Sequence, residues 1–432
     1  MMSKSIFVTT IAFLVLGVGL GYYFFRGNND ESTGTPKATS DASFFPVTTG
    51  SNDTARPNTS RQQSTERATS TSEGAAPMQQ ATLRQIVTQP VAGAMFTTRN
   101  NDTVVRYVAR ESGHISEIGV DEKVAAKVTN TTIPKIFEVA WGPEGESLVV
   151  RFFANKLNAV QTVYGKLVHE KPATTTEQRA LTYVPNSVTT IGAIDGVALP
   201  ASVVAVAPSP DRTNMFYLLK SGQGVIGITS KTTASASAKG QTTIFESSFS
   251  EWLPEWATAG GITLATKASA GVPGYLYLLS PTSRSFEKML DAIPGLTARM
   301  SPDGKRILYS ESSDKGLQTY LYTRGTKSSQ AFPLQTLPEK CVFASKTSAV
   351  YCATPTTILP GQYPDAWYQG VVQWNDTIWK VDLESGETTL LVNPSKMRAG
   401  TQIDGIDLAL DVGERHLLFR NKRDNSLWLL TL

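Results

Sequence analysis

The stretch RMSPDGKRILYSESSDKGLQTYLYT, residues 299–323, alternates short apolar runs with polar turns. One turn separates an apolar entry strand from a strand that holds Ile307 and Tyr309, and a second turn leads to a third strand. Asp303 and Gly304 suit the first turn, because Asp can hydrogen-bond to nearby backbone and Gly accepts a positive φ without steric cost. The stretch therefore predicts strands that are connected by hairpin turns.

Similar units recur on both sides of this stretch, and they are residues 105–118, 139–153, 204–219, 251–279, 341–353 and 408–432. Their turns return at roughly 42 to 50 residues, or about 66 where insertions intervene, which is the range of propeller blades. Convincing amphipathic helices are scarce, and the best candidate is residues 283–293. The sequence therefore predicts an all-β fold, a β-propeller of seven blades with six or eight as the accepted range.

These units resemble the TolB-like, or PD40, branch of the WD40-like β-propeller repeats. The match is best at Ser301, Pro302, Asp303, Gly304 and Lys305. The resemblance covers about residues 83–432, although Glu144 replaces the family's aspartate in one unit and Arg212 replaces its glycine in another. It implies four-stranded blades around a central channel, often used as a platform for proteins or other ligands, and it does not imply catalysis.

The ends of a propeller are usually joined when one terminus completes a blade that the other began, because this leaves fewer free sheet edges. The last unit stops directly after a strand that resembles the third strand of a blade, SLWLLTL. Residues 83–96 offer one strand before Pro90 and another after it. We therefore expect residues 83–88 to supply the outer strand of the last blade.

A membrane anchor is predicted at the N-terminus, in residues 1–26. Residues 6–25, IFVTTIAFLVLGVGLGYYFF, carry no charge, and such a helix of about 20 residues crosses a hydrocarbon layer of roughly 30 Å. A cleaved signal peptide is the alternative, but aromatic residues stand where a small-residue cleavage site belongs. Lys4 and the α-amino group lie on one side of this run, and Arg26, followed closely by Asp30 and Glu31, lies on the other. We expect the short N-terminal tail to stay inside and the body to lie outside the cytoplasm.

Residues 27–80 are rich in Ser, Thr, Asn, Gly and Pro, which predicts a disordered linker. Residues 81–432 then form the propeller domain. The net charge of +3 arises from 40 basic and 37 acidic residues without a long run of one sign, so nucleic acid is not an expected partner. Two cysteines and three histidines leave little material for a metal site, and no metal or other cofactor is expected.

Cys341 and Cys352 lie equally far from a turn centred on Lys346 and Thr347. Simple hairpin register then places them opposite each other on adjacent strands, where a disulfide is feasible. Two buried free thiols are the alternative. No C-x-x-C arrangement supports redox catalysis.

An insertion at residues 359–376 concentrates aromatic and acidic side chains, which are Tyr363, Asp365, Trp367, Tyr368, Trp374 and Asp376. Aromatic loops on a rigid scaffold make effective contact surfaces, so this insertion is the predicted interaction loop, with the first five of these residues as its contacts. The alternative is that the rings cover their own blade. Core packing is the favoured role of Trp252 and Trp256, and turn or surface roles are favoured over a cation site for Asp404, Asp407 and Asp411.

No catalytic residue can be named from the sequence. We therefore expect a noncatalytic scaffold that binds proteins or ligands, anchored in a membrane with its propeller outside the cytoplasm. The resemblance to TolB-like repeats implies that this membrane is a bacterial cytoplasmic membrane. Its partner would be another envelope protein or a cell-wall component. An envelope hydrolase or lyase that acts on glycan or peptide is the alternative, and the oligomeric state is not determined by the sequence.

Overall fold

The structure is a computed structural model that describes residues 81–432, apart from residues 155–158, 170–180, 184–196, 233–239, 315 and 398–399. The predicted anchor and linker, residues 1–26 and 27–80, lie outside the described residues. Within the part of the chain that is described, no helix is both long and apolar enough to cross a membrane.

The chain forms a β-propeller of seven blades, which confirms the predicted fold class and blade number. Blade 1 consists of β2 (Val91–Arg99), β3 (Asp102–Ala109), β4 (Ile115–Gly119) and β5 (Ala126–Lys127), and blade 2 consists of β6 (Ile136–Trp141), β7 (Ser147–Ala154), β8 (Ala159–His169) and β10 (Val197–Ala198), with β9 (Leu181–Tyr183) also paired to β8. Blade 3 consists of β11 (Val203–Pro208), β12 (Asn214–Ser221), β13 (Gly224–Lys231) and β14 (Thr242–Ser247). Blade 4 consists of β15 (Trp252–Thr258), β16 (Gly261–Thr266), β17 (Pro273–Leu279) and β18 (Phe286–Pro294).

Blades 5 to 7 follow the same order. Blade 5 consists of β19 (Thr297–Met300), β20 (Arg306–Ser313), β21 (Gly316–Thr323) and β22 (Ser328–Ala331). Blade 6 consists of β23 (Cys341–Phe343), β24 (Ala349–Pro355), β25 (Asp376–Asp382) and β26 (Thr388–Val392). Blade 7 consists of β27 (Gly405–Leu410), β28 (His416–Asn421), β29 (Leu427–Thr431) and β1 (Thr82–Val87). The described helical segments are α1 (Asp365–Tyr368) and the 3₁₀ turns Pro143–Gly145, Pro338–Lys340 and Pro394–Lys396.

The first strand of each blade is the innermost, and the strands of a blade alternate in direction. Connections between blades and loops between the second and third strands therefore emerge together on one side, which we call the upper face. Turns between the first and second strands emerge on the opposite side, the lower face. The two faces thus present different sets of loops.

Strand β1 closes the ring as predicted. It pairs antiparallel with β29 as the outer strand of blade 7, with Leu83 opposite Leu430. Leu83 is buried in the same apolar cluster as Leu417 and Leu430 of blade 7. The closed ring is therefore stabilised both by the backbone hydrogen bonds of β1 and by the burial of Leu83. Burial of a Leu side chain contributes about 1.5–3 kcal/mol to the free energy of unfolding.

The turn that Asp303 and Gly304 predicted is present on the lower face of blade 5. The Ser301 hydroxyl donates to Asp303 at 2.5 Å, and Gly304 has a φ of +70°. The same turn recurs in blade 3, where the Ser209 hydroxyl donates to Asp211 at 2.5 Å. Arg212 there takes the glycine position with a φ of +60°.

The core lies between neighbouring blades. One cluster joins Phe216 and Leu218 of blade 3 to Trp252 and Ile262 of blade 4. Trp252 is buried, and Trp256 packs against the same cluster, so the core role predicted for both is confirmed.

The best helix candidate, residues 283–293, was wrong, because most of it is β18, the outer strand of blade 4. Leu276 lies opposite Leu290, and Leu279 opposite Phe286. The free edge of β17 offers backbone hydrogen-bond partners along its length, and this pairing overrides the local preference for a helix.

Cys341 and Cys352 lie directly opposite each other on β23 and β24, as hairpin register predicted. They form a disulfide bond in the interior of blade 6.

Candidate binding site at the capped end of the channel

Residues 356–375 connect β24 to β25 and lie on the upper face, and we call them the cap. Three rings form its interior: Tyr363, Trp367 and Trp374 are all buried. The two indoles stack at 5.5 Å with an interplanar angle of 16°, and the Tyr363 ring lies 5.4 Å from Trp374. These rings pack on Leu317 and Leu337, so the cap has a small apolar core of its own.

A buried lysine supports the cap from below. Lys340, at the end of a 3₁₀ turn, is 0% exposed. Its Nζ lies 2.8 Å from Asp376 Oδ2 and 2.5 Å from Asp404 Oδ1. The same ammonium lies 5.1 Å from the ring centre of Trp367 and 5.3 Å from that of Trp374, within cation–π range. Blade 6, blade 7 and the cap therefore meet at one cation.

The two carboxylates of this cluster receive further hydrogen bonds. Trp367 Nε1 donates to Asp404 at 3.0 Å, and the Gly405 backbone N–H donates to Asp376 at 2.6 Å. Lys340 alone cannot balance two ionised carboxylates, and the ammonium of Lys422 also interacts electrostatically with Asp404. Burial, together with the nearby Asp404, raises the pKa of Asp376 to about 6.

Further contacts fasten the cap to neighbouring blades. Lys422 of blade 7 donates to the Trp367 carbonyl, and its ammonium lies 4.2 Å from the centre of that ring. Arg423 donates to the Trp374 carbonyl at 3.1 Å. On the other side, Asp365 accepts from the Ala270 N–H of blade 4 at 2.6 Å. The cap is therefore held at several points across the upper face.

Beneath the cap lies the central channel, a cavity of about 680 Å³. All seven blades contribute to its wall, mostly through their innermost strands. The polar or aromatic side chains on this wall include Phe137, Glu138, Arg212, Glu255, Arg299, Glu339, Tyr368, Asp407 and Arg420. The channel therefore combines charged groups with an apolar lining.

Three of the channel carboxylates are held in ion pairs. Glu138 pairs with Arg151 at 2.5 Å, and Glu255 pairs with Arg299 at 3.3 Å. Asp407 pairs with an arginine of the neighbouring strand, Arg420, at 2.6 Å. These pairs fix the orientation of the acids along the wall.

Glu339 and Tyr368 meet where the cap reaches the channel. Tyr368 is 42% exposed, and its hydroxyl donates to Glu339 Oε2 at 3.0 Å. Burial raises the pKa of Glu339 above its ordinary value, although Arg299 acts in the opposite direction. Burial also raises the pKa of the Tyr368 hydroxyl, and the nearby Glu339 raises it further. A perturbed carboxyl in a cavity marks a candidate functional group.

Of the predicted interaction-loop residues, the structure brings all five onto the cap. Tyr363, Trp367 and Trp374 face its interior, Asp365 is half-buried, and Tyr368 is exposed toward the channel. The rings cover the upper end of the propeller and the contact between blades 6 and 7, and they do not cover the outside of blade 6. The role of the loop in binding stays a prediction.

The acidic residues of the last blade have structural contacts. Asp404 binds Lys340 and Asp407 binds Arg420, while Asp411 accepts from its own turn. Among the described residues, no group of three or more candidate ligands could hold a metal ion. Sequence reasoning missed Lys340, Glu339 and Arg212 as site residues, and only the Arg212 replacement of a repeat glycine gave a signal.

No protein-family model matches the sequence, and no curated protein is similar to it. Among solved structures, an oligogalacturonate lyase in complex with manganese has a TM-score of 0.48 at 10% identity, covering 82% of this chain and 98% of that one. TolB from Acinetobacter baumannii has a TM-score of 0.38 at 11% identity, covering 78% and 79%. The β-propeller domain of the trilobed protease from Pyrococcus furiosus has a TM-score of 0.46 at 12% identity, covering 79% and 95%. These similarities do not decide between a scaffold and an enzyme.

Proposed function

We propose that this chain is a noncatalytic binding scaffold of the bacterial cell envelope, with a propeller of the TolB-like repeat type outside the cytoplasm. An N-terminal membrane anchor, residues 1–26, holds it there. The uncharged apolar run of residues 6–25 supports the anchor. The disulfide between Cys341 and Cys352 supports an oxidising compartment, because disulfides persist outside the cytoplasm.

The observation that carries the binding role is an exposed set of apolar side chains on a firmly held cap. Val371 is 76% exposed and Leu359 is 63% exposed. Apolar groups on a rigid support bind a partner at low entropic cost, because little ordering is needed on binding. The partner we propose for this surface is another envelope protein.

The channel supports a noncatalytic role. Its carboxylates Glu138, Glu255 and Asp407 each have an arginine partner, which gives them a structural task in joining strands or blades. Catalytic acids more often have a free site in front of them for the reacting atoms.

Affinity capture with the full-length chain tests the proposal. Val371→Glu places a charge on the cap, and Val412→Glu makes the same change at a valine that is 82% exposed on the lower face. We expect a protein captured by the wild type to be lost with Val371→Glu and retained with Val412→Glu. Equal retention in both variants, or equal loss, would contradict a binding surface on the cap.

A second candidate function rests on Glu339 and Tyr368. A carboxyl with a raised pKa, beside a hydroxyl at 3.0 Å in a cavity, suits general acid–base chemistry in a hydrolase or lyase that acts on glycan or peptide. The test is turnover of cell-wall glycan or peptide by the full-length protein. Turnover that Glu339→Gln abolishes would favour this function over the scaffold.

A further inference from the structure

Arg212 stands where the repeat has glycine. Its φ of +60° matches the +70° of Gly304 in the corresponding turn of blade 5. A side chain with a Cβ is strained in this left-handed region, and such residues persist where the surrounding structure or a function holds them. The presence of a long cationic side chain at this position therefore needs a reason.

Glu414 occupies a similar turn position in blade 7, with a φ of +54°, and its side chain has clear partners. It accepts from the backbone N–H groups of Ser345 and Lys346 at 2.8 and 2.6 Å, and from the Thr347 hydroxyl at 3.0 Å. A non-glycine residue in this turn can thus be explained by contacts to the neighbouring blade 6.

The guanidinium of Arg212 has no comparable acceptor in the described part of the chain. It lies on the channel wall, and its side-chain hydrogen bond goes to the sulfur of Met95 at 3.1 Å. Within the described ranges, no carboxylate oxygen lies within 4.0 Å of it, whereas Arg299 and Arg420 on the same wall have acidic partners. Burial lowers the pKa of Arg212, as expected for a desolvated cation.

A desolvated guanidinium favours an anion, and its planar fork matches the two oxygens of a carboxylate or phosphate. We propose that Arg212 is the anion-binding residue of a small-molecule site at the lower end of the channel, taking a ligand that carries a carboxylate or a phosphate group. Val206 and Pro208 of β11 provide apolar wall that is near Arg212 in sequence and lies in the same cavity. The remainder of the ligand is therefore expected to be weakly polar.

Arg212 and Glu339 lie at opposite ends of the channel. Arg212 follows the end of β11 on the lower face, and Glu339 precedes β23 on the upper face. A six-residue inner strand such as β11 spans about 20 Å, so the two groups belong to opposite ends. An anion entering the lower end therefore meets the arginine well away from Glu339.

Thermal unfolding of the full-length protein tests this site with defined anions. Sodium phosphate, acetate and glutarate are each compared with sodium chloride at equal ionic strength. A rise in melting temperature with phosphate alone assigns a phosphate ligand, and a rise with acetate or glutarate alone assigns a carboxylate ligand, provided that the rise is larger in the wild type than in Arg212→Gly, because phosphate also stabilises folded proteins without binding a site. A rise with phosphate and also with a carboxylate supports a site that accepts either anion. No rise in melting temperature with any of the three anions overturns the proposal.

Arg212→Gly restores the residue of the repeat and relieves the left-handed backbone, so folding should not suffer. We expect its melting temperature in chloride to be at least that of the wild type, while the anion binds at least about tenfold more weakly. Arg324→Gln, at an exposed arginine paired with Glu287, is the matched control and keeps the response. An unchanged response in Arg212→Gly, or an equal loss in the control, would overturn the assignment.

This site is independent of the partner surface on the cap. Capture of a protein through Val371 is measured without added anion, so failure of either proposal leaves the other testable.

Discussion

Lys340 is the residue on which the capped end of the propeller most depends. It is fully buried, it binds Asp376 and Asp404, and it lies beneath the two stacked indoles of the cap. A buried ion pair is a poor source of net stability, but removing one partner leaves the other charge uncompensated. The lysine therefore fixes the position of the cap relative to blades 6 and 7.

Replacing the lysine should be costly. We expect Lys340→Met to lower the free energy of unfolding by about 3–5 kcal/mol, because two buried carboxylates lose their cation. Urea denaturation of the full-length protein measures the change. Lys267→Met, at an exposed lysine paired with Glu251, is the control and should change stability by less than about 1 kcal/mol. A similar small effect in both variants would mean that Lys340 is not essential to the cluster.

Asp376 should make stability depend on pH. Its pKa is raised by burial to about 6 in the folded protein, above the ordinary value of 3.8. The folded state therefore binds this proton more tightly than the unfolded state, so the contribution is complete below about pH 4 and is lost as the pH rises through 6. A shift of roughly two units corresponds to about 3 kcal/mol.

Asp376→Asn mimics the protonated carboxyl, so we expect it to remove this part of the pH dependence. The difference in unfolding free energy between variant and wild type should move in favour of the variant between pH 5 and pH 8. Urea denaturation at both pH values measures it. A difference that stays constant, or that moves toward the wild type as the pH rises, would contradict the assigned direction.

At this scale the sequence predicted the turns better than the site. Asp303 and Gly304 act through neighbours a few residues away, so their role can be read locally. Lys340 and Asp404 are 64 residues apart and meet only because blades 6 and 7 are neighbours. Such a pair has no local pattern, which is why sequence reasoning did not find it.

Among the elements, β1 has the largest consequence for the ring, because it joins the start of the propeller to its last strand. We expect Leu83→Ala to destabilise the domain by about 2–5 kcal/mol, through lost burial and the cavity that remains. Gln85→Ala, at an exposed position of the same strand, should have little effect. Equal effects in chemical denaturation would show that the strand does not close the ring by burying its side chain.

The β23–β24 hairpin carries the disulfide. Its two cysteines are separated by 11 residues, and a bridge that closes a loop of this size contributes about 2–3 kcal/mol in the chain-entropy account. We expect Cys341→Ala with Cys352→Ala to lose this amount in denaturation under oxidising conditions. Under reducing conditions the double variant and the wild type should have the same free energy of unfolding. A persistent difference after reduction would assign the effect to packing.

Strands could be predicted where the sequence repeats the pattern of a propeller blade. A strand was missed where pairing with a neighbouring strand, and not its own sequence, determined its structure. The closing strand was expected at residues 83–88 and lies at Thr82–Val87, because a propeller needs its edge paired. Residues 283–293 looked helical in isolation and became β18, since β17 supplied an edge. The cap was recognised as an aromatic insertion, but its burial depends on Lys340 and on blades 4 and 7.

For the whole molecule, the central question is which face meets a partner, and on which side of the membrane. The cap places exposed Val371 on the upper face, and Val412 lies on the lower face. Both native cysteines are in the disulfide, so a single added cysteine gives one free thiol. The chain thus allows a matched pair of probes.

The most direct measurement is thiol cross-linking in intact cells with a membrane-impermeant reagent that joins a cysteine to nearby amines. We expect Val371→Cys and Val412→Cys both to react, because the proposal places both faces outside the cytoplasm, and we expect only Val371→Cys to yield a discrete adduct with another protein. Failure of both cysteines to react, or the same adduct from each, would contradict it.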